Sequence, residues 1–136
     1  IYARPRNRYV SNFIGIANLI EGRIARTASA GRGEIEITQN GERAILPCLL
    51  GEGLSEGDEA ALSVRPENVH ALREKPDGHS LEGKVIQTVF LGNYLDCRVR
   101  WQDFEWKVQA HPREHLREGE RVYIHLDADH TLAVLP

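Results

Sequence analysis

The 136 residues carry 17 Lys and Arg against 20 Asp and Glu, a formal net charge of −3, with 41% hydrophobic residues. This is apolar material for one ordinary domain or two very small ones, without the basic excess that counterion release from nucleic acid requires. No run approaches the ~18 apolar residues of a membrane span, and no basic-then-apolar leader precedes residue 20.

The chain opens at Ile1 and contains no Met, which fits a domain cut from a larger protein. Pro5 suits the first turn of a helix, and Tyr9, Val10, Phe13 and Ile14 then recur at i, i+1, i+4, i+5 before Gly15. Proline early, glycine late and an apolar stripe between them predict a short amphipathic helix. Residues 1–18 are therefore expected to be a connector from an upstream domain. Beyond Gly15 the apolar period changes from helical to alternating.

Strands are predicted near 19–25, 33–38, 43–50, 58–65 and 68–72, then near 81–91, 94–101, 104–110, 120–126 and 131–135, with Gly-rich turns marking most of the breaks. Asn40-Gly41, between Ile35-x-Ile37 and Ala44-Ile45-Leu46, suits a type I′ hairpin turn, which needs φ > 0 at both central positions. A second hairpin is expected at Gln102-Asp103, between Val99-Arg100-Trp101 and Phe104-Glu105-Trp106-Lys107-Val108. Pro76-Asp77-Gly78-His79-Ser80 reads as the seam between modules, giving expected domains at 19–75 and 80–136.

The two halves repeat. Glu21-Gly22-Arg23-Ile24 recurs roughly 60 residues on as Glu82-Gly83-Lys84-Val85, and Leu54-x-Glu56-Gly57-Asp58 recurs as Leu116-x-Glu118-Gly119-Glu120. After the second landmark Ala60, Leu62 and Val64 keep step with Val122, Ile124 and Leu126. Ten short strands in two matched sets fit an all-β fold of two small five-stranded barrels better than one open sheet.

Chemical motifs are sparse. His111 and His115 stand four apart, but Pro112 lies between them and spacing indicates no third ligand, so a solvated turn is expected and no metal. Cys48 and Cys97 form no Cys-x-x-Cys pair and read as two buried thiols. There is no Gly-x-x-x-x-Gly-Lys-Ser/Thr loop, no Gly-x-Gly-x-x-Gly after a strand and no Gly-x-Ser-x-Gly elbow. No catalytic residue is expected.

The most distinctive string is Ser63-Val64-Arg65-Pro66-Glu67-Asn68-Val69. Proline lacks a ladder donor, so the strand ends or runs along an edge at Pro66. Arg65 and Glu67 flank a bend fixed in φ, placed for an ion pair or for contacts to backbone carbonyls, or else for solvent. If such a pair were buried, losing one partner would cost about 3–5 kcal/mol.

Leu62-Ser63-Val64-Arg65-Pro66-Glu67 resembles the Arg-Pro-Glu signature of the TOBE domain, the C-terminal regulatory part of ATP-binding subunits of bacterial ABC importers. Phe90-Leu91-Gly92 is similar to that family's Phe-Leu-Gly string. Tyr2, Pro5, Asn7, Tyr9, Val10, Phe13, Gly15 and Asn18 fall where the family's segment leaves the ATPase domain; Tyr9 stands where Phe is usual and Ser11 where Ala is common. The resemblance implies tandem OB-like barrels that are able to exchange strands. It implies a regulatory, dimer-stabilising role at the cytoplasmic face of a transporter, with Mg-ATP confined to the missing ATPase domain and no cofactor in these residues. Expected partners are a second ATP-binding subunit and, through the ATPase domain, the membrane subunits. One rival is a module sensing an oxyanion such as molybdate or sulfate through Lys84, Arg65 and the Gly-rich turns. The other, a nucleic-acid-binding OB-fold, has the acidic balance against it.

Overall fold

Alternation of buried and exposed residues runs through most of the strands, and it decides how the sheets close. The computed structural model describes residues 17–136. The expected connector helix, with Tyr2, Pro5, Asn7, Tyr9, Val10, Phe13 and Gly15, lies outside the described residues. In chain order the strands are β1 (Asn18–Thr27), β2 (Arg32–Gln39), β3 (Glu42–Leu50), β4 (Glu59–Val64), β5 (Val69–Leu72), β6 (Leu81–Phe90), β7 (Leu95–Trp101), β8 (Phe104–Ala110), β9 (Arg121–Leu126) and β10 (Thr131–Val134). All ten predicted strands are present, with ends shifted by a residue or two. Three-residue 3-10 turns occupy Pro66–Asn68, Pro112–Glu114 and Ala128–His130. No helix of the described residues is long and apolar enough to cross a membrane.

The first sheet is a closed barrel in the order β1-β2-β3-β10-β4, and the second is a five-stranded sheet in the order β5-β9-β6-β7-β8. Modules contiguous at 19–75 and 80–136 therefore do not coincide with the sheets. Strand β5 belongs to the second sheet, paired antiparallel with β9. Strand β10 returns to the first, parallel to β3 and antiparallel to β4. Each half donates its last strand to the other. The reason is visible in burial: β10 is buried along its whole length, Thr131 through Val134, because it fills the gap between β3 and β4. Asn18, expected at the end of the connector, is instead the first residue of β1.

The repeat landmarks meet in space, which explains why they recur together. Gly57 N–H donates to Ile24 O at 2.9 Å, and Ile24 N–H to Asp58 O at 2.9 Å; Gly119 N–H donates to Val85 O at 2.7 Å, and Val85 N–H to Glu120 O at 2.9 Å. Both β1 and β6 are irregular at that point, between Ile24 and Arg26 and between Val85 and Gln87. The turn glycines Gly57 and Gly119 both have φ of +91°. One apolar core runs through both sheets, from Ile24, Ile35, Ile37 and Leu46 to Val99, Trp101, Trp106 and Ile124.

The two hairpins form as predicted. Asn40 and Gly41 have φ of 51° and 84°, as a type I′ turn requires. At the second tip Gln102 takes φ 54° between Trp101 and Phe104, which pair across the turn. Cys48 and Cys97 are free and buried; burial, then Glu34, pushes the Cys48 thiol up to about 12, and burial, then Asp96 and Glu114, pushes Cys97 up to about 11.

Candidate functional site

Four places carry polar or apolar groups that the core does not consume. The first is the strand crossover. Chain leaves β4, turns through Pro66–Asn68 and enters β5; equivalently it leaves β9, turns through Ala128–His130 and enters β10. The turns match bond for bond: Asn68 N–H donates to Arg65 O at 2.9 Å, and His130 N–H to Asp127 O at 2.9 Å. Asp127 N–H donates to Asn68 O at 3.2 Å, so the two crossovers are tied to each other. Asp127 also fixes its own turn, accepting from Asp129 N–H and pairing with His130 Nδ1 at 3.0 Å, while its carbonyl accepts from Thr131 Oγ1 at 2.7 Å. The His130 contact, against a smaller opposing effect of burial, holds the Asp127 carboxyl below the usual carboxylate range.

The Arg-Pro-Glu string is thus the crossover itself. Pro66 is buried at the first position of its turn and, with Tyr94, Asp96, Arg98, Lys107 and Gln109, lines a small cleft against β7 and β8. Arg65 Nε meets Glu67 Oε2 at 2.9 Å, with side chains 42% and 43% exposed. Of the readings open from sequence, an ion pair forms, between half-exposed side chains. Its contribution is under about 1 kcal/mol, not the 3–5 of a buried pair.

The second place is Asn18, 2% exposed. Its Oδ1 accepts from Lys107 N–H at 2.6 Å, and its Nδ2 donates to Lys107 O at 2.9 Å and Val64 O at 3.3 Å. Strand β8 is an edge of the second sheet, with backbone groups in need of partners. The Asn18 amide supplies them from the first barrel and locks the two sheets together.

The third is the tip joining β6 to β7. Val89, Phe90 and Leu91 are exposed, Phe90 by 61%, and Leu91 N–H donates to Tyr94 O at 2.9 Å. Gly92 completes the turn with φ of +98°. Three adjoining apolar side chains in solvent exceed what solubility favours and suit a contact surface.

The fourth is an open cleft of about 570 Å³ on the outer face of the second sheet, lined by Lys84, Arg100, Arg121, Glu42, Glu82 and Gln102 and by Gly83 and Gly119. Its rim is fixed by the meeting of the two hairpin tips. Glu42 accepts from Trp101 Nε1 at 3.1 Å and from Gln102 Nε2, and Asn40 Nδ2 donates to Gln102 Oε1 at 3.4 Å. Lys84 lines this cleft, whereas Arg65, grouped with it in the oxyanion reading, is not among the lining residues.

Neither histidine of the 111/115 pair is set for metal. His111 caps the Pro112–Glu114 turn, its Nδ1 accepting from Arg113 N–H while its N–H donates to Glu114 Oε2, and His115 ends that turn at φ 49°. Sequence spacing missed a different group. The His79 ring stacks on His125 with centroids 4.4 Å apart, its Nε2 3.1 Å from Leu126 O and 3.3 Å from Leu126 N, and His70 faces His125 across β5 and β9. Burial, then the neighbouring His125, lowers the His79 pKa from 6.5. A histidine held neutral by the fold contributes stability above its unfolded pKa, and that contribution is lost as pH falls from about 6.5 through the lower folded value. The melting temperature is therefore expected to drop between pH 7 and 5, with a smaller drop in His79→Gln. Equal slopes for both proteins in scanning calorimetry would refute this.

A family model described as "TOBE domain" matches residues 62–134. The chain is 36% identical over 106 residues to the spermidine/putrescine import ATP-binding protein PotA of Frankia alni, covering 73% of this chain and 23% of that protein. It is 35% identical over 111 residues to PotA of Nitrosomonas europaea, covering 74% of this chain and 29% of the relative. The chain thus spans about a quarter of the length of the curated relatives it matches. Among solved structures, the cytoplasmic molybdate-binding protein ModG, with molybdate bound, superposes with a TM-score of 0.70 at 16% identity, covering 88% of this chain and 96% of that one. At that identity the likeness is one of fold. With a family match across the crossover and the whole second sheet, and relatives that are ATP-binding subunits of importers, the chain belongs to the TOBE domain family.

Proposed function

We propose that the chain is the regulatory and dimer-steadying part of an importer's ATP-binding subunit, with ATP hydrolysis carried by another part of the parent polypeptide. The observation that supports this is the partial overlap with import ATP-binding proteins, joined to a sequence lacking any phosphate-cradling loop. Its work is binding and not chemistry. A contact held away from the nucleotide sites keeps two ATPase domains at high effective concentration while those sites open and close. The exposed Val89-Phe90-Leu91 tip suits such a contact, and the interlocked sheets give it a stiff support.

On this reading the partners are a second ATP-binding subunit and, through the ATPase domain, membrane subunits at the cytoplasmic face. The relatives' names favour a polyamine importer. A graft tests the assignment: residues 17–136 replace the matching region of the Nitrosomonas europaea relative, and uptake of labelled spermidine is measured in cells lacking their own import ATPase. Uptake is expected with the graft and lost on deleting the region. A graft that behaves like the deletion, although it is stably expressed, overturns the proposal.

A further inference from the structure

The duplication supplies an internal control for the outer walls of the two sheets. On β4, Ala60, Leu62 and Val64 belong to the main core, so Ala61 and Ser63 face outward; on β10, Ala133 points in, and Leu132 and Val134 face outward. Register gathers the outward residues into one block. Ser63 stands opposite Leu132 and Ala61 opposite Val134, with Leu19 on β1 opposite Ser63 on its other side. The matching block of the second sheet sets His125 opposite His70 and Tyr123 opposite Leu72, across β9 and β5. The correspondence is fixed by the repeat, since Val64 pairs with Thr131 as Leu126 pairs with Val69.

The two walls differ in burial. His70 is exposed and Leu72, Tyr123 and His125 are partly exposed, as the outside of a sheet should be, whereas Ala61, Ser63, Leu132 and Val134 are all buried. Continuous rather than alternating burial marks a strand covered on both faces. Pairing with β3 and β4 satisfies the edges of β10 and places its inner face on the core; it lays nothing over the outer face. Among the described residues this second apolar cluster takes in only Leu19 and Leu49 besides, and both belong to the same wall. The residue types have changed to match. Where the second sheet carries Tyr123, His125 and His70, the first carries Ala61, Ser63 and Leu132, two small side chains and an apolar one. Such a wall admits close approach by another apolar segment.

We infer that the cover is the chain's own N-terminal segment, with Tyr9, Val10, Phe13 and Ile14 seated on the outer wall of β1, β4 and β10. The segment enters the barrel at this wall: β1 begins at Asn18, and the next residue, Leu19, already belongs to the apolar cluster. Ile14 precedes Asn18 by four residues, a reach of up to roughly 14 Å, whereas three neighbouring strands span only about 10 Å. Charge agrees, since the segment carries Arg6 and Arg8, and the wall continues along β1 into Glu21, opposite Ala61. This seat fixes how the barrel is joined to the polypeptide that enters it. It goes beyond the assembly role proposed above and does not depend on it.

The test uses the 136-residue chain with labelled methyl groups. Nuclear Overhauser contacts are expected from the ring protons of Tyr9 and Phe13 to the methyls of Ala61, Leu132 and Val134, and none to Leu72 of the duplicate wall. Ala61→Tyr installs the residue type that the second sheet carries at the same place. It should keep a cooperative melt, abolish those contacts and speed amide exchange over residues 9–14 by roughly tenfold or more. Phe13→Ser, which leaves every strand untouched, should speed exchange in the same residues, and Val89→Tyr, at the tip joining β6 to β7, should not. Contacts from the wall methyls to a second copy, detected between differently labelled chains, would assign the wall to self-association and overturn the seat. No contact from residues 9–14, or parent exchange rates in both Ala61→Tyr and Phe13→Ser, would overturn it equally.

Discussion

Cutting the chain in the loop after β5, between Pro76 and Asp77, is expected to give two pieces neither of which folds alone, and which regain structure when mixed. The first piece keeps β1 to β4 but loses β10, leaving an open slot between β3 and β4. The second keeps β6 to β9 but loses β5, exposing the outer edge of β9. Burying Leu132 and Val134 is worth roughly 1.5–3 kcal/mol apiece, before the two ladders that β10 completes are counted. That is a large share of the 5–15 kcal/mol that holds a typical domain together. Deleting Thr131–Pro136 should, for the same reason, unfold the barrel built from the opposite end of the chain. Near-ultraviolet circular dichroism of each piece, and of the mixture, reads this directly. A cooperative melt from either piece alone would show that the exchanged strands are dispensable.

Replacing Gly22 by Ala should be among the most damaging single-methyl changes in the molecule, alongside Gly33, where a Cβ would stand 2.5 Å from the Arg26 carbonyl oxygen. A Cβ at Gly22 would stand 2.5 Å from the Glu36 carbonyl oxygen, with Ile37 and Ile35 side chains at 3.0 and 3.1 Å. Glu36 belongs to β2, paired on both sides within a closed barrel, so its backbone has no free direction in which to yield. Gly83 repeats the arrangement against Arg100 O at 2.8 Å. Overpacking of this kind costs roughly 1–3 kcal/mol and more where backbone must move; about 3 kcal/mol is expected for Gly22→Ala and somewhat less for Gly83→Ala. Gly41→Ala is the reference, since its φ of +84° is unfavourable for alanine but nothing lies within 4 Å. It should cost about 1–2 kcal/mol. Urea melts that rank Gly41→Ala as the most damaging of the three would refute the argument.

Strand positions were legible because strands and their turns are local signals. Ile35-x-Ile37 and Val122-x-Ile124 announce their buried face by alternation alone, and Asn40-Gly41 announces its turn by φ preference. The exchange was hidden for an equally physical reason. Strands β5 and β10 are both four residues long, and each follows an equivalent 3-10 turn, so local pattern fits either strand to either slot. The candidate sites depend on register between strands distant in sequence. Lys84, Arg100 and Arg121 look like scattered charges until pairing places them in one row, and Asn18 reads as linker until Lys107 is brought to it. For Arg65 and Glu67 the sequence left an ion pair, carbonyl contacts and solvent all open, and the choice among them followed from packing that the sequence does not state.

The exchange also sets a clock on synthesis. Until Thr131–Val134 have left the ribosome, β3 and β4 have no strand between them, and the chain separating β4 from β10 takes on the order of several seconds to make at ~5–20 residues per second. Through that interval the nascent barrel presents two unpaired edges, the kind of surface that recruits strands from neighbouring chains. Polyribosomes carrying this message would hold many such edges at once, so its yield in cells should respond to the rate of translation and to chaperones that shield nascent β-edges.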